Sequence, residues 1–149
     1  MLKTLDHVQL VTSNIEETKE FFTQVLGFTV ENEDDLQGAW LAKLVNREDA
    51  HARVAQLVHP NSRTHLHVVE YITPRSEPSP NISREHAMGF RHIGFEVDNI
   101  DEMVETLKKR GVEFRSPVQE YPKWAKKAVY FLGPDGILLE LYEYLEKSH

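Results

Sequence analysis

Two stretches of this chain carry a histidine and, farther along, a glutamate inside apolar, strand-like runs. His7 lies in LDHVQL and Glu70 in HVVEY, whereas His92 lies in FRHIGFEV and Glu140 in ILLELYEY. Side chains alternate across a strand, so His7 shares a side with Gln9 and Val11, and His92 with Gly94 and Glu96. By the same alternation Glu70 goes with Val68 and Ile72, and Glu140 with Leu138 and Tyr142. Taken singly, His7 also suits a hydrogen-bonded strand histidine, and Glu140 an edge charge facing water. The recurrence of the same two types in both halves favours a shared task. A carboxylate among Leu138, Leu139 and Leu141 is costly to bury without a compensating cation. If the halves pack about a pseudo-twofold axis, His7, Glu70, His92 and Glu140 converge as two imidazoles and two carboxylates. That set suits a six-coordinate divalent ion such as Ni, Co, Mn, Zn or Fe, with water in the open positions.

The elements that must position these residues are duplicated. Segment 5–30 aligns with segment 90–114 at an offset of 92 − 7 = 85, which pairs Asn14 with Asn99, Ile15 with Ile100 and Glu17 with Glu102. In each copy a strand (6–11; 91–97) leads into Ser13-Asn14 or Asp98-Asn99, where a side chain can cap a helix N-terminus. Acidic residues then favour the positive end of the helix dipole. Apolar residues follow at helical spacing (Phe21, Phe22, Val25 and Leu26; Met103, Val104 and Leu107), and Gly27 or Gly111 suits a left-handed C-terminal cap. Strand-like runs come next: 28–33, 52–58 and 66–73 in the first half, 112–115, 128–132 and 137–144 in the second. Gly133-Pro134-Asp135-Gly136 predicts a hairpin turn. Each half therefore reads β-α-β-β-β. The histidine-to-glutamate separations, 70 − 7 = 63 and 140 − 92 = 48, differ by 15, matching an insertion near 36–51. Residues 36–45 are ambiguous, with apolar residues that suit a short helix packed on the sheet.

The expected organisation is one domain over 1–149, with a first module at about 1–73, a Pro- and Ser-containing exposed linker at 74–89 and a second module at about 90–146. The linker is long enough for the modules to pair within one chain or to exchange between two, and a homodimer is expected. Residues 147–149 read as a solvated tail. With 17 basic and 24 acidic residues the net charge is −7, which disfavours a general nucleic-acid binder. The absence of cysteine excludes disulfides, thiolate zinc sites and cysteine nucleophiles, leaving the 8 histidines, the carboxylates and the hydroxyls for chemistry. No apolar run approaches the roughly 18 residues of a membrane span, and no signal-type segment follows Met1, so a cytoplasmic location is expected.

These motifs resemble the vicinal oxygen chelate superfamily, which includes glyoxalase I, methylmalonyl-CoA epimerase, extradiol dioxygenases and antibiotic-resistance proteins. The resemblance runs through LDHVQL, NIEETKEFF, HVVEY, FRHIGFEVDNID, LKKRGVEF and VYFLGPDGILLELYEY. It implies an α+β fold of two paired βαβββ modules forming a curved, cleft-bearing mixed sheet. It also implies metal ligands at His7, Glu70, His92 and Glu140, as in the glyoxalase and epimerase branches. The implied reaction is that of a lyase or isomerase: the ion chelates vicinal oxygens of a small substrate and stabilises an enolate, while Glu140 or Glu70 moves the proton. An iron-dependent extradiol dioxygenase, using two histidines and one carboxylate, is the alternative, with Glu70 counting against it. A non-catalytic antibiotic-binding protein is a further alternative, disfavoured because all four ligand types are present. His65 and His67 read as exposed or hydrogen-bonded residues at a strand entry. Gln9 and Tyr142 are pocket candidates by strand side. Trp124 and Lys126 lie in a lysine-bearing loop (Lys123, Lys126, Lys127) whose charge suits a carboxylate or a coenzyme A phosphate.

Overall fold

The computed structural model describes residues 1–145, so the tail at 147–149 lies outside the described residues. The chain divides into two compact units, Met1–Pro78 and a second beginning at Ser79. The first runs β1 (His7–Val11), α1 (Ile15–Glu20), β2 (Thr29–Gln37), α2 (Ala39–Val45), β3 (His51–Val58) and β4 (His65–Thr73). The second runs β5 (His92–Glu96), α3 (Ile100–Lys109), β6 (Gln119–Tyr121), β7 (Lys126–Leu132) and β8 (Leu138–Tyr144). Each unit holds a four-stranded mixed sheet, ordered β1-β4-β3-β2 and β5-β8-β7-β6. The first and last strands of each unit pair in parallel, and the remaining pairs are antiparallel. The protein is thus α+β.

The duplicated helix signals work as their chemistry dictates. Asn14 Oδ1 accepts the Glu17 N–H at 3.1 Å, and Asn99 Oδ1 accepts that of Glu102 at 3.2 Å. Gly27 and Gly111 take positive φ just beyond the helical segments. The first helix continues as a π-helical turn, Phe21–Val25, which buries Phe22 completely. Against one side of each sheet lie Ile15 and Phe22, or Ile100 and Leu107, packed over Ala55, Leu57 and Val68, or over Phe131, Leu139 and Leu141. Removing such surface from water is the main driving force for these units. The opposite side of each sheet carries the more polar residues.

Several boundaries differ from those expected. The run 112–115 makes only a single bridge, Phe114 to Phe131, and β6 lies farther on at 119–121. Pro117 stands between them and has no N–H for a ladder. Residues 36–45 hold the short helix, but not from their start: β2 extends to Gln37, Gly38 turns at φ +108°, and α2 follows with Leu41 buried. The end of the expected linker is held within the second unit. There Ser83 Oγ donates to Gly136 O at 2.6 Å, and Arg115 Nε lies 2.9 Å from Glu85. Gly133 N–H donates to Ile137 O at 2.8 Å in the expected β7–β8 hairpin. Among the described residues no helix is long and apolar enough to cross a membrane.

Candidate metal centre

In the second unit, parallel pairing of β5 with β8 sets Gly94 beside Glu140, so His92 and Glu140 occupy one side of the sheet. His92 Nε2 lies 3.5 Å from Glu140 Oε1, and the glutamate side chain is only 13% exposed. Gly94 makes the room: a Cβ there would stand 3.1 Å from Glu140 Oε1 and 3.2 Å from Tyr142 Cε1. Across β7, Tyr130 pairs with Glu140, and its ring centroid lies 4.9 Å from that of His92. Burial first, then the Glu140 charge, pushes the Tyr130 phenol pKa upward, so it stays protonated. This half of the expected donor set is brought together.

The first unit corrects the other half. Parallel pairing of β1 with β4 aligns His7 with His65 and Gln9 with His67, so the His7 side of the sheet carries His65, His67 and Val69. Glu70 is on the helix side. Its Oε1 accepts the Ile15 N–H at 2.8 Å, at the first turn of α1. Glu143 does the same in the second unit, accepting the Ile100 N–H at 2.9 Å. Glu70 therefore matches Glu143, and the position matching Glu140 is His67: 143 − 70 and 140 − 67 both equal 73. A carboxylate committed to a helix N-terminus, where exposed N–H groups and the dipole both favour it, is not turned toward His7. The missed signal was the three-residue spacing common to His67–Glu70 and Glu140–Glu143.

His67 is half-buried, with its ring stacked on that of His7 (centroids 3.9 Å apart, planes 8° apart). Burial, then the neighbouring His7 charge, lowers its pKa and keeps it neutral, the form in which imidazole binds metals. His7 Nδ1 lies 2.8 Å from Asp6 Oδ2. In the tautomer that places the proton on Nδ1 the Nε2 lone pair is left free, the arrangement in which a carboxylate orients a metal-binding histidine. His65 Nδ1 is instead engaged by Gln56 Nε2 at 2.8 Å, as a hydrogen-bonded strand-entry residue. Among the described residues no group of three histidines and carboxylates forms a ready cage; donors occur as one pair in each unit.

The pocket candidates divide likewise. Gln9 lines a cleft of about 320 Å³ in the first unit, together with Asn32, Asp34, Gln56, His67 and Val69. Tyr142 is on the Glu140 side of β8, and Lys126 on the matching side of β7. Trp124 sits in a short 3-10 turn, 62% exposed.

Comparison with known proteins completes these observations. The model of the Glyoxalase/Bleomycin resistance protein/Dioxygenase superfamily matches residues 4–141. The uncharacterized protein YaeR of Escherichia coli (strain K12) is 30% identical over 144 residues, spanning 95% of this chain and 97% of its own. A 2-epi-5-epi-valiolone epimerase from Actinomyces sp is 28% identical over 142 residues, covering 91% of this chain and 76% of the enzyme. Among solved structures, a glyoxalase family protein from Bacillus cereus superposes with a TM-score of 0.88 at 26% identity, over 98% of this chain and 97% of that one.

Proposed function

We propose, on the premise that this chain belongs to the Glyoxalase/Bleomycin resistance protein/Dioxygenase superfamily, that it is a metal-dependent lyase or isomerase acting on a small substrate with vicinal oxygens. The observation that carries this reading is the like-sided donor pair in each unit, His7 with His67 and His92 with Glu140, at matching strand positions. Three imidazoles and one carboxylate fit a mid-series divalent ion such as Ni, Co, Mn, Zn or Fe. Such an ion, when bound, would polarise a carbonyl and stabilise the negative charge left as an adjacent proton departs.

The chain's own residues supply the rest. Three imidazoles with one carboxylate would exceed the two-histidine, one-carboxylate set expected of an iron-dependent ring-cleaving enzyme. That count favours proton transfer over the iron-dependent ring-cleaving alternative, although Glu70 no longer argues against it. Glu140 is the one carboxylate of the set and is the base; with Glu70 held by α1, it both takes the proton and returns it. Tyr130, kept protonated beside it, can donate its O–H toward a substrate oxygen. The epimerase relative supports proton transfer at carbon.

The test combines metal analysis with solvent exchange. Purified protein should hold one divalent ion per chain. It should incorporate deuterium next to the carbonyl of hydroxyacetone or dihydroxyacetone, and Glu140→Gln should remove that exchange with the fold intact. Exchange that survives both metal removal and Glu140→Gln would sink the reading. Oxygen uptake with catechol and Fe(II) would replace it with the dioxygenase.

A further inference from the structure

Lys126 and Lys127 are neighbours in β7 with opposite surroundings. Lys127 points to the helix side, where its Nζ lies 3.1 Å from Asp101 Oδ2. Lys126 is on the side of Glu140 and Tyr142, half-buried, and has no carboxylate partner among the described residues. Its ammonium instead lies 5.5 Å from the ring centroid of Trp124 and 5.1 Å from that of Tyr142. Aromatic faces attract a cation through their quadrupole, but they do not satisfy its three N–H donors as oxygen acceptors do. Tyr121 packs edge-on against Trp124 at 5.2 Å, and Tyr144 against Tyr142 at 5.0 Å, so both rings are braced from behind. Tyr121 and Trp124 nevertheless stay 45% and 62% exposed. An ammonium without a carboxylate partner among the described residues, set among braced, open aromatic rings, suits an oxyanion carried on a flat or apolar body: the N–H groups take the oxygens and the rings cover the body.

We propose that Lys126, with Trp124 and Tyr142, anchors a carboxylate or phosphate group of the substrate. As an assignment of substrate class it rests on the function proposed above; as a binding site it stands on its own contacts. Tyr142 lies two residues along β8 from Glu140 on the same side, a step of roughly 7 Å. The anionic group therefore lies on the same side of the sheet as Glu140 and a short way along it, so that one acid or phosphate ester of modest length reaches both.

The experiment reads Trp124 fluorescence in a Trp40→Phe background, which leaves one of the two tryptophans. Metal-loaded and EDTA-treated protein are titrated with benzoate, phenyl phosphate and neutral benzamide. Saturable quenching by benzoate or phenyl phosphate is expected in both preparations, with the tighter of the two identifying the anion. Benzamide and the Lys126→Met protein should each bind about tenfold more weakly or worse, while Lys126→Arg should bind within a few-fold of the parent. Equal binding of benzamide, undiminished binding by Lys126→Met, or no saturable quench overturns the anchor. Quenching lost on EDTA treatment also overturns it, placing the anion on the ion and leaving the proposed function intact. Conversely, Lys126-dependent quenching in a protein that binds no metal upholds the anchor and removes the metal-dependent reading.

Discussion

Replacing Glu70 separates a structural carboxylate from a metal ligand. In Glu70→Ala, the Ile15 N–H loses the acceptor it holds at 2.8 Å, in a part-buried setting at the start of a helix only six residues long. A hydrogen bond to a charged group contributes about 1.5–3 kcal/mol, and leaving its partner unsatisfied keeps the cost near the middle of that range, about 2 kcal/mol. For a chain of this size that corresponds to a fall in Tm of about 4–8 °C. Glu70→Gln keeps an acceptor but loses the charge that meets the helix dipole, so its loss should be about 1 kcal/mol. Glu143→Ala, whose parent accepts the Ile100 N–H at 2.9 Å, should behave like Glu70→Ala. The assay is urea unfolding of the metal-free proteins, paired with metal affinity measured by a competing chelator. Metal-free protein is essential because a bound ion adds stability of its own. The reasoning is refuted if Glu70→Ala binds metal much more weakly while its metal-free stability matches that of the parent.

Other perturbations address the opposite side of the sheets. His67→Ala should lower metal affinity by at least about 100-fold through loss of one donor, and unchanged affinity by chelator competition would remove His67 from the set. Gly94→Val should drive a side chain into the Glu140 carboxylate and the Tyr142 ring, since even a Cβ would stand 3.1 Å and 3.2 Å from them. Deuterium exchange should then fall with little change in the far-UV circular dichroism, and full activity would show that Glu140 does not need this space. Phe131→Ala, at a fully buried position in the second unit, should cost about 3–5 kcal/mol in urea unfolding; a loss below about 1 kcal/mol would contradict the packing described.

Much of the fold is legible locally. Asn14 and Asn99 cap helices because their side chains reach backbone donors three residues on. Gly133-Pro134-Asp135-Gly136 turns because its residues favour the required backbone angles. Those are short-range effects, written in adjacent residues. The run expected at 112–115 meets β7 only around Phe114, with backbone hydrogen bonds from Arg115 to Tyr130 and from Leu132 to Glu113, and the pairing resumes beyond Pro117 at 119–121. At the site, His92 and Glu140 are legible from the recurrence of the pair rather than from burial, since Leu138 on the Glu140 side and Leu139 and Leu141 on the other are all buried. In β4 the pattern is ambiguous, since Leu66 and Val68 on one side and Val69 on the other are all buried.

The sequence by itself determined the duplication, the helix caps, the alternation within each strand and the confinement of chemistry to histidine, carboxylate and hydroxyl groups. Alternation alone requires His67 and Glu70, three residues apart, to face opposite ways. Only the tertiary structure decided which of them shares a side with His7. That depends on the parallel register of β4 against β1, between residues more than fifty positions apart in the chain, and on the distant helix N-terminus that claims Glu70. A register displaced by one residue exchanges the two sides of a strand, so the choice between ligand and helix cap rests on contacts that no local stretch of sequence contains.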